Sequence, residues 1–218
     1  AVLDPSPAVG ACALQSLMPL LDDENERNRA LQLCEQVLER HPQLLEDMFT
    51  YRFLSWATFH HFELFGKHIE VMLNSDLENV RQEGARLATQ AALTNDAAEE
   101  LQQRVLAGDA IMHRGAAHTY AAYLRVPKWQ NISEKYLREL MYDSDEEVQK
   151  QVAFAFTYLK PEHIDGLRDF VFDFLKSPAL ARETHYLIEY VKPLSIYEHE
   201  LALEVTEGIV RALEEKRI

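Results

Sequence analysis

Helix breakers are scarce in this chain. Only 7 Gly and 8 Pro occur among 218 residues, and long stretches hold neither. That scarcity argues against a turn-rich β-sandwich and favours helices. Cysteine is scarcer still. Cys12 and Cys34 form no CxxC pair, so there is neither a disulfide framework nor a zinc signature. This usage fits a reducing, cytoplasmic setting. No apolar run approaches the ~18 residues of a membrane span, and no signal peptide is visible. Positive charge is also short. The net charge is −14, and residues 1–132 and 133–218 each hold 18 acids against 11 bases. With no Lys/Arg run, nucleic-acid backbones and anionic membranes are repelled on average.

The motifs of common chemistries are missing too. The nearest approach to a Walker A loop is Gly66-Lys67. His61 stands five residues earlier where a Gly is needed, and His68 follows where Ser or Thr is needed. There is no G-x-S-x-G, and Cys34 lies in an apolar helical run, LQLCEQVL, that reads as core. His60, His61 and Glu63 crowd the string HHFE, but the order is not H-E-x-x-H. His60 and Glu63 could share one face, yet no second half-site follows. His113 and His118, five apart, diverge by about 140° around a helix. These histidines read as structural or surface residues, and no cofactor or metal is expected.

What the chain does contain is a repeat. An Asp is followed five residues later by Arg or Lys, and three after that by Ala or Gly. The copies are Asp22–Arg27–Ala30, Asp76–Arg81–Gly84, Asp109–Arg114–Ala117 and Asp145–Lys150–Ala153, with a degenerate Ser177–Arg182–His185. From the second copy on, the basic residues lie 33, 36 and 32 apart, the period of stacked helix pairs. The first gap is 54, which leaves room for one additional helix. Hydrophobic residues make up 47% of the chain, enough for a core. Breakers and caps delimit about twelve helical segments: 7–21, 24–40, 43–56, 58–73, 77–94, 96–107, 110–125, 133–142, 145–159, 162–176, 179–191 and 195–215.

Each motif Asp is expected to cap or open the second helix of a pair. Pro42, Pro161 and Pro178 suit the first position of the helices they open. The small residue lets a neighbouring helix approach. Larger apolar residues follow it: Leu87 and Ala91, Tyr120 and Leu124, Phe156 and Leu159. Preceding helices carry the matching stripes, Phe62, Phe65, Ile69, Val71 and Met72 in one and Leu137, Leu140 and Met141 in another. The basic residue is expected to reach the Asp of an adjacent repeat, forming a ladder of ion pairs.

Two-helix units with Asp and Arg near the start of the second helix resemble HEAT repeats, over residues 7–191. The longer strings MLNSDLENVRQEGARLATQAAL (72–93), VLAGDAIMHRGAAHTYAAYL (105–124), LMYDSDEEVQKQVAFAFTYL (140–159) and FLKSPALARETHYLIEYV (174–191) are similar to the C-terminal repeat regions of large bacterial STAND, or NACHT-like, NTPases. Several of that family act in antiphage defence. The resemblance implies a sensor segment that recognises a foreign protein while a separate nucleotide module oligomerises. No such module stands in this chain. It starts Ala-Val-Leu-Asp without a Met, which suggests a fragment of a longer protein, although tag removal or processing leaves the same mark.

The expected fold is all-α: a right-handed α-α superhelix of about five helix pairs plus one extra helix and a C-terminal capping helix. It would form one solenoid domain over 1–218, irregular around 41–57, regular over 58–191 and capped by 192–218. The expected function is non-catalytic protein binding on the concave face, with neither nucleic acid nor membrane as partner. Contact candidates are Arg86, His118, Tyr123, Tyr158 and Tyr190 on second helices. Arg52 and Trp56, in the aromatic stretch with Tyr51, Phe53, Phe59, Phe62 and Phe65, form a separate patch. Tyr, Trp and Arg are the usual anchors of protein interfaces. The rival readings are a helical-repeat enzyme using His60, His61 and Glu63, and a nucleic-acid-binding HEAT-like protein.

Overall fold

The computed structural model describes residues 4–215. Among them are twelve α-helices and no strand. The helices are α1 (Pro7–Asp22), α2 (Arg27–Arg40), α3 (Met48–His60), α4 (Phe62–Leu73), α5 (Glu78–Ala92), α6 (Glu99–Leu106), α7 (Ala110–Tyr123), α8 (Gln130–Leu140), α9 (Glu146–Ala153), α10 (Arg168–Lys176), α11 (Thr184–Tyr197) and α12 (His199–Glu214). Each expected segment therefore corresponds to one α-helix, with α3 running on to His60 past the expected end at 56, and the described residues are all-helical.

The differences lie at the ends. Pro42, Pro161 and Pro178 open 3-10 turns (Pro42–Glu46, Pro161–Gly166 and Pro178–Ala181) rather than α-helices. A fixed φ and a missing N–H suit the first position of either helix type. Helix α11 runs on through Pro193 to Tyr197, where the sequence suggests a stop at 191.

The caps follow the motif only in part. Asp145 accepts the N–H of Val148 at 3.0 Å and caps α9. Asp109 accepts the N–H of Met112 at 3.1 Å in the first turn of α7. Asp22 instead ends α1, and Glu26 occupies the N-cap position of α2. Asp76 lies one residue ahead of Leu77, the N-cap position of α5, and Ser75 Oγ takes the Leu77 N–H at 3.2 Å. A cap outside the motif, Asp47, accepts the N–H groups of Phe49 and Thr50, both at 2.9 Å, and starts α3.

Contacts gather the chain into two compact units, Ala1–Met112 and His113–Ile218. In the first, α1 packs on α2 and α3, and α5 packs on α3, α4 and α6. The additional helix is α3. Its Phe53 meets Phe65 of α4 edge-on, ring centroids 5.7 Å apart, in a fully buried contact. Phe62, Phe65, Ile69 and Met72 form the buried stripe of α4, but Val71 is 56% exposed. A helix turns 100° per residue, so Val71 beside buried Met72 faces the other way. At Gly84 α5 comes so close to α4 that an added Cβ would lie 2.8 Å from Met72 Cβ and 3.0 Å from the backbone N of Leu73.

In the second unit, α8 packs on α9 and α10, and α12 packs on α10 and α11. Tyr120 of α7 stacks on Tyr136 of α8 at 5.0 Å. Phe156 is buried among Phe170, Phe174 and Tyr190. Ala116, Ala117 and Ala153 are fully buried, as their motif positions require.

Enlarging the small positions should therefore overpack the helix contacts. Gly84→Ala and Ala153→Leu are each expected to destabilise the protein by roughly 1–3 kcal/mol, read as a lower denaturant midpoint at unchanged slope. Unchanged midpoints in both variants would mean that these faces are not the packed ones.

Candidate functional site

The motif's basic residues are anchored before they are available to a partner. Arg27 Nε donates to Leu21 O at 2.8 Å, and Arg81 Nη1 to Ser75 O at 2.9 Å. Each reaches back six residues, to the carbonyl just ahead of the motif Asp, and so fixes the turn between two helices. Arg81 also lies 3.3 Å from Asp109 of the next copy. Arg114 holds Asp145 of its next copy with two bonds, Nε to Oδ1 at 2.9 Å and Nη2 to Oδ2 at 2.7 Å. These are two rungs of the expected ladder. The later copies depart from it. Lys150 pairs within its own helix with Glu147 at 2.6 Å, and Arg182 reaches backwards to Glu146 at 2.9 Å and Gln149 at 3.1 Å. The Arg114 hydrogen bonds, with help from the Val148 N–H and against the cost of partial burial, hold the Asp145 carboxyl below its usual range.

The first unit carries a hollow of about 420 Å³ between the start of α3 and the face of α5. It brings together Arg52 and Arg86, which the sequence assigned to different patches. Arg86 sits 4.8 Å over the Tyr51 ring and donates to both carboxylate oxygens of Glu83, at 2.7 and 3.0 Å. Arg52 is exposed at the same hollow. Trp56 is half-buried and does not line it; its ring lies against His60 and His61, at 5.1 and 5.8 Å.

The second unit carries a cluster of aromatic rings. Phe154 stacks on His118 at 6.5 Å and meets Tyr158 and Tyr186 edge-on, both at 5.3 Å. His118 Nδ1 lies 3.1 Å from Gln151 Oε1, and the Arg125 guanidinium lies 5.7 Å over the Tyr158 ring. Tyr123 meets Trp129 edge-on at 5.0 Å. All are half-buried except Arg125, which is exposed.

Tyr190 is a correction. It is only 3% exposed, packed on Phe156, and its hydroxyl has no hydrogen-bond partner among the described residues. Burial, then the charge of Glu162, raises its phenol pKa. It serves the core and is not a contact residue. Tyr186, one turn earlier on α11 and about 40° around it, stays half-buried against Phe154, while Tyr190 reaches Phe156.

Sequence reading missed Phe154 and Tyr186, although a signal existed. His118, Phe154 and Tyr186 each stand nine residues after Asp109, Asp145 and Ser177, so they share one motif position. Their common register aligns the rings.

The pairing of His60 with Glu63 does not form on one helix. Helix α3 ends at His60 and α4 begins at Phe62, so His60 and Glu63 do not share a helical face. His61 is buried at the bend between them. Among the described residues no group of three or more His, Cys, Asp or Glu is placed to hold a metal ion. Cys34 is buried and its thiol is pushed up to about 12, chiefly by desolvation, which leaves it a weak nucleophile. No described helix is long and apolar enough to cross a membrane. Comparisons with protein-family models, curated proteins and solved structures give no match for this chain.

The Arg114–Asp145 rung yields a pH prediction. A carboxylate with a depressed folded pKa contributes stability above its unfolded pKa of about 3.9 and loses it as pH falls through the folded value. Acid unfolding below about pH 4 should therefore be shallower in Asp145→Asn than in the parent. A double-mutant cycle over Arg114→Ala and Asp145→Ala at pH 7 should give a coupling of roughly 1 kcal/mol for this half-exposed, two-bond pair. A coupling near zero would show that Asp145 acts through its cap alone.

Proposed function

We propose that this chain is a HEAT-like, right-handed solenoid of about five helix pairs whose function is to bind a partner protein. In this reading α3 is the extra helix and α12 the C-terminal cap. The second helices α5, α7, α9 and α11 line the concave side that such a stack forms. The observation that carries the reading is the alignment of equivalent positions. Ion pairs join neighbouring copies at Arg81–Asp109 and Arg114–Asp145, and the rings of His118, Phe154 and Tyr186 meet across three copies. An array that repeats its register repeats its surface.

The half-exposed residues on those helices include Arg86, His118, Tyr123 and Tyr186, of the types enriched in interfaces, while the abundant Glu is not. The resemblance to STAND-type NTPases makes the function more specific: a cytoplasmic sensor segment of a larger bacterial protein, acting in antiphage defence. Recognition would be by shape and charge, with no bond made or broken. A nucleic-acid reading is disfavoured by the net charge of −14 and by the engagement of Arg27, Arg81 and Arg114 in the turns and rungs.

The test is capture of a partner by the immobilised chain from lysates of phage-infected bacteria. A combined alanine variant at Arg86, His118, Tyr123 and Tyr158, with an unchanged melt, is expected to lose at least tenfold in affinity, as several anchor residues would demand. Full retention by that variant would overturn the second-helix reading. A salt-titrated DNA shift assay should show no complex, and a steep salt-dependent shift would favour the nucleic-acid rival.

A further inference from the structure

Building on that protein-binding reading, we propose that the hollow beside His118, Phe154 and Tyr186 receives a basic side chain, arginine or lysine, of the partner polypeptide. The hollow is about 450 Å³ in volume and open to solvent, and its remaining walls include Glu147, Lys150 and Glu183.

Two features select a cation. The first is the set of ring faces. An aromatic face is the negative end of a quadrupole and attracts a guanidinium or ammonium within about 6 Å of its centre. The same cluster already does so within the chain, where Arg125 lies 5.7 Å over Tyr158. The rings are also held in place. Phe154 is fixed by contacts to His118, Tyr158 and Tyr186 at interplanar angles of 20°, 87° and 78°. A held ring loses little freedom when a partner arrives.

The second feature is charge. Two carboxylates, Glu147 and Glu183, face one ammonium, Lys150. Lys150 is bound to Glu147 at 2.6 Å. The Glu183 carboxylate pairs with His185 Nδ1 at 3.0 Å and makes no direct Lys or Arg ion pair among the described residues, although its charge also acts on Lys150. A cation entering over Tyr186 therefore meets a carboxylate that is not in direct contact with a lysine or arginine. An acidic or phosphorylated side chain would meet two carboxylates instead. The net charge of −14 acts in the same sense at longer range, drawing basic partners and repelling acidic ones.

The experiment is an amide chemical-shift titration of the isotope-labelled chain with three probes: acetyl-Gly-Arg-Gly-amide, acetyl-Gly-Lys-Gly-amide and acetyl-Gly-Gln-Gly-amide. Shifts confined to the neighbourhood of His118, Phe154, Glu183 and Tyr186 are expected with the Arg and Lys probes and not with the Gln probe. Glu183→Gln and Tyr186→Leu, each checked for an unchanged melt, should weaken the Arg probe by roughly fivefold or more. Equal shifts with the Gln probe, no localised shifts with any probe, or undiminished affinity in both variants would overturn the proposal. A partner that binds the Glu183→Gln, Tyr186→Leu double variant as tightly as the parent would also overturn it, while leaving protein binding intact. Arg-selective shifts in a chain that captures no partner would instead count against the broader reading alone.

Discussion

Eight residues after each motif Asp, the packing leaves little room for a side chain. Ala30, Gly84, Ala117 and Ala153 are all buried, and even a methyl group at Gly84 would press on Met72 and the backbone of Leu73. This close approach sets how near a second helix can come to its neighbour. The buried stripes on either side, Leu87 and Ala91 or Phe156 and Leu159, meet their partners only at that separation. In the degenerate fifth copy the position is His185, which is exposed, and a 3-10 turn replaces the start of the helix.

Once the helices are that close, polar groups near their ends fall within bonding distance. Asp145 shows the consequence most fully, since one carboxylate caps its own helix and receives both bonds from Arg114. A surface ion pair supplies little stability. Two directional bonds to a capping residue supply position, because sliding the helices would break the pair and disturb the cap together. Position is what a binding surface needs. The shared register of His118, Phe154 and Tyr186 turns three separate side chains into one cluster of rings.

Charge is handled in the same local way. The chain has 36 acids against 22 Lys and Arg. Several of the bases are committed to turns, rungs or pairs within a helix, as with Arg27, Arg114 and Lys150. Carboxylates such as Glu183 make no direct ion pair with lysine or arginine among the described residues. The excess of negative charge repels other acidic surfaces at long range, and carboxylates stand around the aromatic hollow.

The sequence by itself determined the helical class, the twelve segments and the motif that relates them. Those features rest on local chemistry: apolar spacing, caps and the scarcity of Gly and Pro. It also marked the buried small residues, because a repeated Ala or Gly at one register has a packing cause. Only the tertiary structure decided which side of each helix faces a neighbour. It turned Val71 outward and Tyr190 inward, although both sit in segments whose helical character was plain. It moved the capping role away from Asp22, because a helix end depends on where the previous helix stops. It brought Arg52 to Arg86 across 34 positions, and Tyr186 to Phe154 across 32. A period in sequence states that positions are equivalent. Whether equivalent side chains touch depends on the distance and rotation between packed helices, which no local pattern encodes.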